Sequence, residues 1–413
     1  MALVATAALF TGAIPDATPR PPEPEPDPTA FALLAADEGG WSWFNAPNAV
    51  YLDGKTHITY ITGTGHPMAA YYDHATETMS EPVRMYPSDI FEVDDHDDPS
   101  LLVRSSDGAL LAYFAIHSGD DQYVNVWDGA WSGPSNIGSA INAGTTTYMA
   151  PVELPDGTIR VFFRDHYDGE NVEWAYADAA DGETFDGHTS FVRDPGVITY
   201  VSPSMGADGR IDFVASGHPA YDTGGSIWHF YWDDGSYYKS DGTLIESALP
   251  LDTGDMTKVY DGATTLSWHW DIARIGSDLA IVFATFPGND GSEHRYQYAR
   301  WTGSAWTVNE VADAGGTIKT SGDEVFYSGG IAIDRLDVDR VYYSSDAAGS
   351  FDIFRGITSD GGATWSVAAL TSDATKDIRP KAVRDADPSL RVVWMRGTYA
   401  QYTDWDTGTW GGT

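Results

Sequence analysis

Residues 148–164 read YMAPVELPDGTIRVFFR, and this stretch indicates the fold. Apolar residues flank the Pro-Asp-Gly sequence at residues 155–157, and these three residue types favour tight turns. The stretch therefore predicts a β-hairpin. Counting outward from the turn places Tyr148 opposite Arg164, with both side chains on one face of the hairpin.

Two further hairpins carry reactive side chains in the same way. The turn at residues 105–108 pairs His96 with His117, and the turn at residues 208–210 pairs Tyr200 with His218. Opposed residues on antiparallel strands have Cβ atoms about 5 Å apart, so each pair can act as a unit. Three such pairs in consecutive repeats predict an active site.

The whole chain repeats this pattern. Inner hairpin turns are expected at residues 52–55, 105–108, 155–157, 208–210, 275–278, 337–339 and 385–388. Between them, a strand, a polar turn and an aromatic or apolar residue recur in segments that end at Met79, Trp131, Phe185, Tyr238, Trp306, Trp365 and Trp410. Both series count seven, and repeats of roughly 50 to 67 residues are typical of propellers. The sequence predicts an all-β protein, a seven-bladed β-propeller of four-stranded antiparallel blades.

We divide the chain into residues 1–30, an apolar stretch followed by a linker rich in proline and glutamate, and residues 31–413, a single propeller domain. The apolar stretch resembles the remnant of a signal peptide, so we expect a secreted protein. The last blade has either a short outermost strand or one supplied by residues 31–36. We expect a monomer.

The composition is strongly acidic. Lys and Arg total 23 against 61 Asp and Glu, a formal net charge of -38. Such a charge repels nucleic acid and anionic membranes, so neither is an expected partner. The dispersed acidity suggests a surface adapted to high salt. The chain has no cysteine, which excludes disulfides and thiolate ligands.

Residues 358–365, TSDGGATW, form an Asp-box, a structural motif of propeller hairpins. Asp360 is expected to accept hydrogen bonds from the backbone of the turn, and Trp365 to pack beneath it.

Each reactive residue also has an ordinary interpretation. His96 and His117 could be surface histidines, Tyr148 a packing aromatic, and Arg164 a solvated or ion-paired residue. Against this, acidic residues surround His96 and could orient or charge an imidazole. An arginine beside a phenol can clamp a substrate carboxylate and lower the phenol's pKa.

Together these residues resemble the BNR-repeat propeller family that includes ulvan lyases and related uronate-acting polysaccharide lyases. The resemblance rests on the three hairpins, the HxxP segment at 96–99, SWHWDIA at 267–273, HRYQYARW at 294–301, the Asp-box and DIRP at 377–380. It implies an anionic, uronate-containing polysaccharide as substrate. It also implies catalytic roles for His96, Tyr148 and Arg164, with His117, Tyr200, His218 and Arg379 in substrate binding.

The implied reaction is β-elimination, in which Arg164 stabilises an enolate-like intermediate and an acid protonates the leaving oxygen. His96 or ionised Tyr148 could be the base, and Tyr148 could serve as both base and acid. No cofactor is required. The histidines and aspartates leave a structural, oxygen-ligated divalent cation open, with no residues assigned to it.

Two other functions compete with a lyase. The Asp-box and propeller also suit a sialidase-type glycoside hydrolase, which needs an arginine cluster and a tyrosine assisted by a glutamate. A non-catalytic carbohydrate-binding propeller is the other alternative, because a fold does not fix a function.

Overall fold

The computed structural model describes residues 29–33, 39–166, 172–221, 225–322 and 324–413. In these ranges the strands are β1 Ala30–Ala32, β2 Ala49–Leu52, β3 Lys55–Ile61, β4 Pro67–Asp73, β5 Thr78–Met79, β6 Val83–Arg84, β7 Ser100–Val103, β8 Leu110–Ala115, β9 Gln122–Trp127, β10 Ser135–Asn136, β11 Thr145–Glu153, β12 Ile159–His166, β13 Val172–Ala179, β14 Thr189–Val192, β15 Thr199–Met205, β16 Ile211–Gly217, β17 Ile227–Asp233, β18 Ser236–Lys239, β19 Thr257–Tyr260, β20 Leu266–Ile275, β21 Asp278–Phe286, β22 His294–Trp301, β23 Trp306–Gly315, β24 Ile331–Ile333, β25 Arg340–Ser345, β26 Asp352–Ile357, β27 Ser366–Ala369, β28 Lys376–Asp387, β29 Leu390–Gln401 and β30 Asp404–Gly412.

Helical structure in the described ranges is confined to short turns: α1 at Gly138–Ile141 and 3₁₀ turns at Asp95–Asp97, Thr253–Asp255 and Pro287–Asn289. No helix in the described part of the chain is long and apolar enough to span a bilayer.

The strands form several four-stranded antiparallel sheets, an arrangement consistent with a β-propeller. Four sheets follow the chain as β7–β10, β11–β14, β20–β23 and β24–β27, and a fifth contains β15–β19. The remaining sheet has nine strands, in which β2 meets β28 through a single parallel pairing of Val50 with Arg384. All other pairings between the strands named above are antiparallel.

The chain termini meet in this large sheet. Phe31 of β1 pairs with Gly411 of β30, so the N-terminal strand lies outermost beside the last strand of the chain. Of the two arrangements considered from the sequence, the structure shows the one in which the N-terminal segment supplies the outermost strand. Residues 34–36 lie outside the described residues.

Six of the seven inner turns lie where the sequence placed them. The seventh, expected at residues 385–388, differs because β28 continues to Asp387 and pairs there with Leu390. Asp385 has a φ of 56°, and the strand register shifts around it, so an irregular strand end replaces the expected turn. The true turn is at residues 388–389.

The Asp-box has the predicted structural geometry. Asp360 Oδ1 accepts the Thr364 backbone N–H at 2.9 Å, and the Thr358 hydroxyl oxygen accepts that of Gly362 at 2.9 Å. Trp365 packs edge-on against Tyr298 of the neighbouring sheet, with ring centroids 5.3 Å apart. The motif therefore joins two sheets.

Candidate active site

A cavity of about 180 Å³ brings together the six residues that the three hairpins predicted, namely His96, His117, Tyr148, Arg164, Tyr200 and His218. Sequence reasoning missed the seven further lining residues, which are His166, Val172, Ile198, Tyr221, Glu324, Tyr327 and Tyr402. Most of these lie outside the three hairpins. His166 and Ile198, each two residues from a predicted site residue, could have been found from strand alternation.

Arg164 is the one arginine or lysine among the described residues that line this cavity. Its guanidinium donates to the Tyr200 hydroxyl at 3.2 Å, to His117 Nε2 at 3.4 Å and to the Thr147 hydroxyl at 3.4 Å. The residue is buried, and in the described part of the chain it forms no ion pair with a carboxylate. Burial lowers the pKa of Arg164, but the neighbouring tyrosines outweigh this effect and raise it, so Arg164 is a buried cation.

Tyr148 corrects the expected register. Arg164 pairs with Thr147, and Met149 pairs with Phe163, so Tyr148 is the extra residue of a β-bulge with a φ of 61°. The Met149 backbone N–H donates to Asn45 Oδ1 at 2.9 Å. Asn45 also donates to the His96 carbonyl oxygen at 2.7 Å, so one amide side chain holds the bulge beside the histidine turn.

The bulge keeps the Tyr148 ring near Arg164, whose guanidinium carbon lies 4.9 Å from the ring centroid. Burial is the main cause that raises the pKa of the Tyr148 phenol well above its usual value, and it outweighs the lowering effect of Arg164. Tyr148 is therefore protonated at neutral pH and can donate a proton.

His96 and His117 stack with ring centroids 4.3 Å apart and an interplanar angle of 10°. His96 precedes β7 in the 3₁₀ turn, and both rings are held by Asp94. Asp94 accepts from His96 Nδ1 at 2.5 Å and from His117 Nδ1 at 2.8 Å. Both Nδ1 atoms must carry protons in these bonds, which leaves both Nε2 atoms for other partners.

The pKa values of the two imidazoles are shifted in opposite directions. Burial lowers the pKa of His96, but Asp94 and Asp95 together outweigh it and raise that pKa. Burial and the neighbouring His96 lower the pKa of His117. His117 is thus the neutral imidazole at pH 7, and its Nε2 lone pair faces Arg164.

Tyr200 and His218 are not directly opposed, which corrects the second register expectation. Tyr200 pairs with Ser216, because the turn from Gly206 to Arg210 is centred on Asp208, one residue before the expected centre at Gly209. The rings still lie near each other, with centroids 6.0 Å apart. His218 Nδ1 accepts the Ala220 backbone N–H, and burial lowers the pKa of His218 to about 4, so this ring is neutral.

Arg379 does not line the cavity, which corrects its expected role in substrate binding. It is fully buried and donates to Asp95 Oδ2 at 2.6 Å and to the Tyr399 hydroxyl at 2.6 Å. Asp95 belongs to the turn that carries His96. Arg379 therefore supports the site from beneath.

A larger cavity of about 410 Å³ lies at the turn ends of the inner strands, where it is lined by Val103, Glu153, Met205 and Ile275. It contains arginines but no histidine or tyrosine among its described lining residues. None of the six residues predicted from the three hairpins lines it, whereas all six line the smaller cavity, which is therefore the candidate active site.

Two groups of side chains in the described residues could hold a metal ion. One is Asp94, His96 and His117, of which both histidines line the cavity, and the other is Asp165, Glu173 and His188 in the region of the sheet β11–β14. In the first group, both histidines donate a hydrogen bond from Nδ1 to Asp94. These three side chains therefore already bind one another through hydrogen bonds.

A family model described as "BNR repeat-containing family member" matches residues 55–314. The chain belongs to this family. An ulvan lyase of Alteromonas sp. (strain LOR) is 24% identical over 173 residues, which cover 36% of this chain and 34% of that protein. The alignment thus spans about a third of that relative.

Solved structures share the fold over most of the chain. A PL25 ulvan lyase bound to -[GlcA(1-4)Rha3S]- has a TM-score of 0.70 at 14% identity, covering 92% of this chain and 95% of that chain. The polysaccharide lyase Uly1 has a TM-score of 0.59 at 11% identity and covers 89% of each chain. The chain is therefore similar in sequence and structure to ulvan lyases.

Proposed function

We propose that this protein is a polysaccharide lyase that cleaves an anionic, uronate-containing polysaccharide by β-elimination. The observation that supports this most is Arg164, a buried guanidinium that faces a cavity with no carboxylate partner among the described residues. A buried charge without a counter-ion is costly, and a bidentate substrate carboxylate would offset that cost. Similarity to ulvan lyases supports the same substrate class.

We also infer that the propeller has seven blades. The nine-stranded sheet divides naturally at the single pairing of Val50 with Arg384. One part then contains β2–β6 and the other contains β28–β30 with β1, which together with the five other sheets makes seven units.

In the proposed mechanism Arg164 binds the uronate carboxylate and neutralises it. This makes the proton on the adjacent carbon, C5, more acidic. His117 Nε2 lies 3.4 Å from the Arg164 guanidinium, so a carboxylate held there would present C5 to a neutral imidazole. We assign His117 as the base in preference to His96, because His96 has the raised pKa.

The electron pair of the broken C5–H bond forms the C4=C5 double bond, and the C4–O4 bond breaks. Tyr148 donates its phenolic proton to O4, and solvent then restores the proton on Tyr148 and removes the one on His117. The raised pKa of His96 favours its charged form, which would add positive potential beside His117. Because Arg164 neutralises the carboxylate, the reaction needs no cofactor.

A sialidase-type hydrolase is less well supported. Such an enzyme holds its carboxylate with several arginines, whereas the described lining of this cavity has Arg164 alone. A non-catalytic binding propeller would not need a protonated phenol and a neutral imidazole beside the same guanidinium.

The test is product analysis after incubation with ulvan and with desulfated ulvan. Elimination produces a conjugated uronate that absorbs ultraviolet light and contains no solvent oxygen. Arg164→Ala should abolish this absorbance, whereas Arg160→Ala, on the same strand but paired with Asp178, should retain it. Saturated ends that carry oxygen from labelled water would identify a hydrolase instead.

A further inference from the structure

Two buried carboxylates face each other at one end of the β12–β13 hairpin. Asp165 of β12 pairs directly with Glu173 of β13, so both side chains lie on one face of the sheet with Cβ atoms about 5 Å apart. Each residue is only 1% exposed. Like charges directly opposite each other destabilise a sheet, and removal from water makes an uncompensated charge more costly. The pair is therefore a place where a cation would stabilise the fold.

The arginine beside this pair contacts Glu173 and not Asp165. Arg193 Nε donates to Glu173 Oε2 at 2.7 Å, and the Ser190 hydroxyl donates to Oε1 at 2.8 Å. In the described part of the chain, Asp165 forms no ion pair with a lysine or arginine, and its Oδ1 accepts no hydrogen bond of normal geometry. Buried polar atoms normally have a partner. Asp165 therefore has an oxygen available for a ligand.

His188 brings a nitrogen atom to the same place. Its Nδ1 lies 3.0 Å from the Ile141 carbonyl oxygen, and because a carbonyl can only accept, Nδ1 carries the proton. The neutral ring then has its lone pair on Nε2, which lies 3.8 Å from Asp165 Oδ2. A histidine that binds a metal commonly donates its other ring N–H to a backbone carbonyl, which fixes the orientation of the ring. His188 is held in this way.

The distances differ from those in the hydrogen-bonded cluster of the cavity. There, Asp94 accepts from two histidine Nδ1 atoms at 2.5 and 2.8 Å. The 3.8 Å between His188 Nε2 and Asp165 Oδ2 is too long for a hydrogen bond. Two ligand atoms of a tetrahedral zinc ion lie about 3.4 Å apart, since each bond to zinc is about 2.1 Å long. The three ligand atoms of this second cluster all lie within 4.8 Å of one another.

We propose that Asp165, Glu173 and His188 bind a divalent transition-metal ion, for which zinc is the best match, and that water completes the coordination. One imidazole nitrogen with two carboxylate oxygens suits zinc, whereas calcium and magnesium prefer oxygen ligands alone. The hydrogen bonds from Ser190 and Arg193 orient the Glu173 carboxylate, and each of its oxygens keeps a lone pair for the ion.

The ion has a structural role next to the candidate active site. None of its three ligands lines the cavity, whereas Arg164 and His166, on either side of Asp165, do. Alternation along β12 directs Asp165 to the opposite face of the strand. The ion therefore stabilises the end of the strand that carries Arg164 and takes no part in the proposed reaction, so the inference does not rest on the proposed function.

The test is calorimetric titration of the protein with zinc chloride after dialysis against a chelator. We expect one tight equivalent of zinc and a zinc-dependent rise in the midpoint of thermal unfolding. His188→Gln and Asp165→Asn should each weaken binding at least about 100-fold, because each removes a ligand. Calcium chloride should bind the wild-type protein at least about 10-fold more weakly than zinc, because one ligand is an imidazole.

Two control variants locate the ion. His66→Gln removes an exposed histidine that lies 3.1 Å from Asp89, and it should leave the affinity for zinc unchanged. His117→Gln alters the other candidate cluster and should also retain the tight equivalent. X-ray absorption at the zinc edge of the wild-type complex, which does not depend on any variant, should show one imidazole among oxygen ligands.

Three results would overturn the inference. The first is the absence of a tight zinc equivalent in the wild-type protein. The second is an ion that is lost in His117→Gln and kept in His188→Gln, or that shows two imidazole ligands, since this ion lies in the cavity. The third is tighter binding of calcium than of zinc.

Discussion

A buried guanidinium normally has a carboxylate beside it, and Arg379 follows that rule with Asp95. Arg164 does not, since its partners are a phenol, an imidazole and a hydroxyl group. The difference between these two arginines separates the residue that supports the site from the residue that can receive an anion. Local sequence did not reveal it, because both arginines lie within strands and each has an aspartate one or two residues away.

Replacing Tyr148 by Phe should reduce kcat/KM for a uronate polysaccharide by at least about 10²-fold, because the proton donor is lost while the ring remains. Initial rates of double-bond formation measure this effect. Tyr342→Phe makes the same chemical change at a buried tyrosine bonded to Asp334 and should keep near-normal rates. Wild-type activity in Tyr148→Phe would remove the phenol from the mechanism.

The expected dependence of kcat/KM on pH follows from the lowered pKa of His117 and the raised pKa of Tyr148. The base His117 must be neutral, and its lowered pKa means that activity is lost only as pH falls below about 6.5. The acid Tyr148 must be protonated, and its raised pKa means that activity persists to about pH 10. We expect kcat/KM to be level between these limits. An acidic limb centred above pH 7 would instead indicate His96 as the base.

At the scale of elements, hairpin turns were predictable because Asp, Gly and Pro specify backbone angles locally. The spacing of His96 and His117 from their turn was also predictable, because no bulge intervenes. The Tyr148 bulge was not, since it depends on Asn45, which lies about a hundred residues earlier and binds the Met149 amide. The position of Glu324 on the cavity wall was equally hidden, because this residue lies in the connection between β23 and β24.

The 3₁₀ turn that carries His96 depends on the buried pair of Asp95 and Arg379. Replacing Arg379 by Met should reduce the free energy of unfolding by about 3 to 5 kcal/mol, because Asp95 is left buried without its counter-charge. Urea denaturation measures this change. The double variant Asp95→Leu with Arg379→Met should recover part of the loss, and strictly additive losses would show that the two residues do not interact.

At the scale of the whole molecule, a net charge of -38 opposes the approach of a polyanion. Added salt shortens the Debye length from about 10 Å at 0.1 M to about 3 Å at 1 M, which removes distant repulsion and preserves close contacts. We expect kcat/KM on a long uronate polymer to rise over this range. A disaccharide or tetrasaccharide should show a smaller rise, and a steady decline with salt would contradict this explanation.

The pairing of β1 with β30 also bears on how the protein is made in the cell. Ala30–Ala32 is synthesised long before its partner Asp404–Gly412. Between the two events, an apolar edge of the last sheet has no neighbour, and closing so long a loop is slow. The sheet that contains β28–β30 therefore gains its outermost strand, β1, only after β30 has been synthesised.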